Sequence, residues 1–120
     1  MSRKILVADD NAASRELIRE VLEMSGYEVV EAADGQDAVT RARENAPDLV
    51  LVDIQMPRLD GYGVLRELRA DPRLSNLHVV ALTAFAMQGD RERAMGAGFD
   101  GYITKPVDIA ALRQEIRKFL

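Results

Sequence analysis

Asp53 ends an apolar run, Leu49-Val50-Leu51-Val52, and a carboxylate at the end of a buried strand is costly unless it is paired, metal-bound or reactive. A second run, Ile5-Leu6-Val7-Ala8, ends in the doublet Asp9-Asp10. A third, Val79-Val80-Ala81-Leu82, ends in the hydroxyl of Thr83, and Lys105-Pro106 follows the last short strand-like stretch. Carboxylates, a hydroxyl and an ammonium at the ends of different strands make a phosphate-handling set. Crowded carboxylates repel one another, which raises their proton affinity or recruits a cation. Oxygen ligands without His or Cys favour a hard ion, Mg²⁺ above all. Such an ion would neutralise phosphoryl oxygens approaching Asp53, whose carboxylate could then attack phosphorus as a nucleophile. Lys105 supplies the opposing positive charge and Thr83 a hydroxyl donor to a phosphoryl oxygen.

These residues need elements that bring them together. Strand and helix patterns alternate five times, with strands expected near residues 4–9, 27–31, 48–53, 77–82 and 100–103 and helices near 11–25, 35–45, 60–70, 88–97 and 108–119. Leu17, Ile18, Val21 and Leu22 form one stripe on the first helix, and Ile109, Leu112, Ile116 and Phe119 form one on the last. Gly26 and Gly98 sit where a left-handed cap ends a helix, and Pro47 halts the second helix. Asp34, Asp60 and Asp108 stand at helix starts, where a carboxylate accepts backbone N–H bonds. Asp9 or Asp10 alone would serve as the N-cap of the first helix, but two in a row leave one without that task.

Short β–α links imply a parallel sheet with helices on both faces. The first, third and fourth strands are continuously apolar, as central strands are. The second carries Glu28 and Glu31 and the fifth contains Gly101, so both suit edges. The expected fold is α/β, a doubly wound five-stranded parallel sheet in the order 2-1-3-4-5, flavodoxin-like. That order opens a crevice at the C-terminal ends of strands 1 and 3, where Asp9, Asp10 and Asp53 fall.

Composition narrows the class. The 120 residues suit one domain, and 48% hydrophobic content supports a folded core. The apolar runs are too short for a membrane span of about 20 residues, and Met1-Ser2-Arg3-Lys4 leads into a strand without a signal-peptide core. The absence of cysteine makes a cytoplasmic protein the simplest reading. A net charge of −4 argues against broad nucleic-acid binding.

Five pieces in order, Val7-Ala8-Asp9-Asp10-Asn11, Asp48-Leu49-Val50-Leu51-Val52-Asp53, Met56-Pro57 with Asp60-Gly61, Leu82-Thr83-Ala84, and Lys105-Pro106, carry a likeness. The chain resembles the receiver domains of two-component response regulators over essentially its whole length, so residues 1–120 read as a single receiver domain. The resemblance implies that Asp53 is the phosphoacceptor and that Asp9, Asp10, Asp53 and the backbone carbonyl of Gln55 hold Mg²⁺. It implies that Thr83, Lys105 and the Ala84 N–H contact the phosphoryl group, and that the Lys105–Pro106 peptide is cis. Tyr102 matches the aromatic switch position, coupled to Thr83, and the helix and strand around it form with the last helix the face that partners read. The implied partners are a sensor histidine kinase or histidine phosphotransfer protein and a downstream protein target. Catalysis is limited to the domain's own phosphorylation and dephosphorylation. Positions 55 and 85, here Gln and Phe, tune acyl-phosphate lifetime in the family.

The segment from Leu82 to Met87 and Gly89-Asp90-Arg91-Glu92 are similar to stand-alone cell-cycle receivers and to receivers fused to kinases. With Leu120 directly after the last helix, output is expected through protein contact, as a solitary switch or a module of a longer regulator or hybrid kinase. A phosphohydrolase with an aspartyl-phosphate intermediate would place a second acid where Gln55 stands, and a flavin carrier would be repelled by Asp9-Asp10-Asn11. Other features have plain readings. His78 has no partner at ligand spacing, Phe85, Met87 and Met95 read as packing residues around the fourth helix, and Arg91-Glu92-Arg93 reads as a solvated helix face.

Overall fold

The structure, a computed structural model, describes residues 3–84 and 87–120. Phe85, and with it the expectations of a packing and a lifetime role there, lies outside the described residues, as do Met1 and Ser2. The chain runs β1 (Lys4–Ala8), α1 (Ala12–Met24), β2 (Glu28–Ala32), α2 (Gly35–Asn45), β3 (Leu49–Asp53), α3 (Gly61–Ala70), β4 (His78–Thr83), α4 (Gln88–Ala97), β5 (Gly101–Thr104) and α5 (Ile109–Phe119). All neighbouring strands are parallel, in the order β2-β1-β3-β4-β5. The expected order and element sequence are both present, with ends displaced by a residue or so. No described helix is long and apolar enough to cross a membrane.

Alternation along the strands divides the core in two. Ile5 and Val7 of β1, Leu49 and Leu51 of β3, and Val80 and Leu82 of β4 pack against Ile18, Val21 and Leu22 of α1 and Leu112 and Ile116 of α5. Leu6, Ala8, Val50, Val52, Val79 and Ala81 face the other way, onto α2, α3 and Phe99. Both faces of the central strands are therefore dry, which is why they read as unbroken apolar runs.

Helix starts are fixed locally. The Asp34, Asp60 and Asp108 side chains accept from the amides of Asp37, Gly63 and Ala110. At α1 the cap is Asn11, which accepts from the Ser14 amide, so neither member of the aspartate doublet has that task. Gly26 and Gly98 adopt φ of 92° and 114°, the left-handed region that glycine enters without a Cβ penalty. Ala46 enters the same region with φ 46° and ψ 60° to close α2.

Four apolar residues expected in the core are exposed instead: Leu17, Ile109, Met87 and Met95. Leu17 lies about a quarter turn from the centre of the Ile18–Val21–Leu22 stripe. Ile109 is the first residue of α5, ahead of the turns that pack. Met87 precedes α4 as its N-cap, and Met95 sits about 100° round from Ala94. Among the described side chains of α4, Ala94 alone is buried. The start of that helix is secured by Asp90 reaching back to the Met87 amide at 3.3 Å.

Candidate functional site

Register builds the site. Ala8 pairs with Val52, so the next residues, Asp9 and Asp53, emerge side by side where β1 and β3 leave the sheet. Asp10 joins them: one carboxylate oxygen from each of Asp9, Asp10 and Asp53 lies within 4.8 Å of the others. Asp9 is fully buried and Asp53 nearly so, whereas Asp10 is exposed. The Asn11 amide donates to Asp9 Oδ1 at 2.9 Å, and the Gln55 amide donates to Asp53 Oδ1 at 2.9 Å. Arg15 Nη1 donates to the Asp9 backbone carbonyl at 2.6 Å, fastening the loop to α1.

Gly61 allows the β3–α3 loop to close beneath Asp53. Its amide donates to the Ile54 carbonyl at 2.8 Å, and a Cβ there would stand 2.7 Å from the Asp53 carbonyl oxygen. That is closer than van der Waals contact allows, so a side chain at 61 would displace the strand end that carries the carboxylate.

Lys105 enters from the end of β5 through a cis Lys105–Pro106 peptide, the isomer the resemblance implies. Its Nζ lies 2.5 Å from Asp53 Oδ2 and 2.7 Å from Asp9 Oδ2. Burial pulls the ammonium pKa down, but the hydrogen bond to Asp53 and the ion pair with Asp9 outweigh it and the net shift is upward. Burial raises the Asp53 carboxyl, and the Lys105 and Gln55 bonds only partly counter it. Thr83, at the end of β4, is buried, and its side chain interacts with that of Tyr102. Tyr102 is itself buried, against the core face that carries α3 and Phe99. Burial, reinforced by Asp90, raises its phenol pKa.

An open cleft of about 1020 Å³ contains Asp10, Asp53, Gln55, Ala84 and Lys105. A smaller pocket of about 280 Å³ beside it reaches Thr83. The structure therefore gathers Asp9, Asp10, Asp53, Gln55, Thr83, Ala84 and Lys105 at one end of the sheet, with Tyr102 behind Thr83. Sequence reasoning passed over Tyr62 and Arg93, which also line both spaces. Arg93 reads from the sequence as part of a solvated face and is indeed exposed, and the local pattern of α4 carries no sign of a contact with α3.

The donor set fits a hard divalent ion. It is all oxygen, and Asp9 Oδ2 is buried with no hydrogen bond of acceptable geometry, its contact with Lys105 being an off-axis ion pair. A small, strongly hydrated cation on a few carboxylate oxygens is the usual Mg²⁺ arrangement.

The sequence model of the response regulator receiver domain matches residues 5–117. The chain is 38% identical over 120 residues to the polar-differentiation response regulator DivK of Brucella ovis, covering all of this chain and 98% of that protein. Among solved structures, the receiver domain of a sensor histidine kinase from Pseudomonas aeruginosa superimposes with a TM-score of 0.91 at 37% identity. That match covers 99% of this chain and 98% of the other, whose active-site cleft coordinates a magnesium ion. The chemotaxis protein CheY4 of Vibrio cholerae superimposes over the full length of both chains with a TM-score of 0.93 at 25% identity.

Proposed function

The chain belongs to the response regulator receiver domain family, whose members are signalling proteins rather than classical enzymes, and from that premise we propose that Asp53 accepts a phosphoryl group from a sensor histidine kinase or histidine phosphotransfer protein. The observation that carries the reading is the convergence of Asp9, Asp10, Asp53 and Lys105 in one cleft. An Asp53 carboxylate oxygen attacks phosphorus, the Oδ–P bond forms as the donor's N–P bond breaks, and the electron pair stays on the donor imidazole. Mg²⁺ held by Asp9, Asp10, Asp53 and the Gln55 carbonyl would neutralise phosphoryl charge. Lys105, held protonated by its carboxylate contacts, turns to a phosphoryl oxygen, and the Ala84 amide and Thr83 hydroxyl donate to the others.

Thr83 links chemistry to signal. When its hydroxyl engages phosphate, its interaction with Tyr102 is re-sorted, and the β5–α5 face around Tyr102 is read by a downstream protein partner. Moving a two-state equilibrium from 1:99 to 99:1 takes about 5.5 kcal/mol. One charge-assisted bond from Thr83 contributes about 1.5–3 kcal/mol, so Lys105, the metal and the bound partner contribute the remainder. Self-catalysed dephosphorylation and a cytoplasmic setting complete the proposal.

Incubation with acetyl phosphate and Mg²⁺ tests it. A labile acyl-phosphate is expected on the wild type and absent after Asp53→Asn. Steady turnover of unrelated phosphomonoesters, with no labelled protein, would replace the switch with a phosphohydrolase.

A further inference from the structure

We propose that Tyr62 and Arg93 form a clamp across the phosphorylation cleft, between α3 and α4, that screens the Asp53 acyl-phosphate from water and sets its lifetime. The clamp rests on the reading of Asp53 as phosphoacceptor. Arg93 Cζ lies 5.0 Å from the centroid of the Tyr62 ring, within the range of a cation–π contact. Tyr62 is braced from behind by Phe99, edge to face with centroids 5.5 Å apart at 71°, and Phe99 is buried. The ring therefore offers Arg93 a fixed platform. Among the described residues Arg93 makes no ion pair, so the aromatic face is its partner. Both side chains line the cleft of Asp53 and Lys105 and the side pocket of Gln55 and Thr83.

Hydrolysis requires a water oxygen to bond to phosphorus while the Asp53 Oδ–P bond breaks. The electron pair returns to the carboxylate, and the water's proton passes to solvent. With Arg93 seated on Tyr62, the α3–α4 side of that approach is covered by a side chain instead of open water. Because α4 buries Ala94 alone among its described side chains, this contact also decides how far the helix stands from the cleft. Arg93 and Tyr62 are thus positioning residues: they touch each other and the edge of the cleft, and act on the reaction by controlling access.

The test is decay of the acyl-phosphate in Mg²⁺ after removal of acetyl phosphate, for wild type, R93A, R93K, Y62F, Y62L and the R93A/Y62L double variant. R93A is expected to shorten the lifetime about two- to five-fold, with Y62L similar, R93K intermediate and Y62F near wild type because it keeps the ring. The double variant is expected to decay no faster than the faster single variant. A wild-type lifetime in R93A, or multiplication of the single effects in the double variant, overturns the clamp. R93A alters an exposed side chain, so the comparison holds even where Y62L folds poorly. A wild type that takes no label overturns the phosphoacceptor reading and the clamp with it; a labelled wild type with an unaltered R93A lifetime overturns the clamp alone.

Discussion

Asp9 and Asp53 are held alike across the seam between β1 and β3. Each accepts at Oδ1 from the amide two residues further along the chain, Asn11 or Gln55, and each turns Oδ2 toward the same Lys105 ammonium. Two short backbone turns thus aim two carboxylates at one point, and one cation balances both.

Removing that cation leaves two buried carboxylates facing each other. Lys105→Met is expected to lower stability by about 3 kcal/mol in chelator. Mg²⁺ should restore part of the loss, because an ion that binds the folded state alone stabilises it. Urea unfolding with and without Mg²⁺ reads both; equal midpoints for the variant and wild type in chelator would mean that the bridge holds nothing together.

Metal affinity depends on the same oxygens. Asp9→Asn keeps the size and an acceptor for the Asn11 amide but removes the charge from a fully buried position. Mg²⁺ affinity by calorimetry is expected to fall at least about tenfold, with a fall also for Asp10→Asn. Unchanged affinity in both would place the ion elsewhere.

Acid sensitivity has a contribution away from the site. Burial raises the Glu31 carboxyl pKa, but bonds from Arg19 and Arg15, at 2.9 and 3.1 Å, outweigh it and the net shift is down from 4.5. A carboxyl whose pKa is lower folded than unfolded stabilises the fold fully above the unfolded value, and loses that contribution as pH falls through the folded value. Glu31→Gln should therefore flatten the dependence of the urea midpoint on pH below about 4.5, and parallel curves for the two proteins would count against it.

Ala46 closes α2 in left-handed backbone, exposed and with a Cβ that disfavours that geometry. Ala46→Gly is expected to stabilise by about 0.5–1 kcal/mol, seen as a higher melting temperature. A lower one would show that flexibility gained by the unfolded chain outweighs the relieved strain.

The carboxylates were legible because a buried parallel strand announces its own end: the apolar run stops, and the next side chain emerges at the sheet's edge. Asp53, Thr83 and the Asp9-Asp10 doublet all stand at such stops. Strand order followed from the contrast between the dry runs of β1, β3 and β4 and the charged β2. What stayed hidden depends on lateral contact. Asn11 was masked as the α1 cap by the doublet before it, because either aspartate has the right chemistry for a cap. Leu17 is apolar yet off the packed stripe, which the surrounding pattern does not reveal. Arg93 sits among charges that look solvated, and only the position of Phe99 behind Tyr62 shows why it has a seat.

The sparse interior commitment of α4 has an energetic consequence. Among its described side chains, sliding or tilting this helix uncovers one small methyl group, whereas moving α1 or α5 would strip several large aliphatic side chains from the core. Its amides should accordingly be among the first in a helix to trade hydrogen for deuterium. A fold built this way offers a cheap direction in which to deform, beside the cleft that carries its acids.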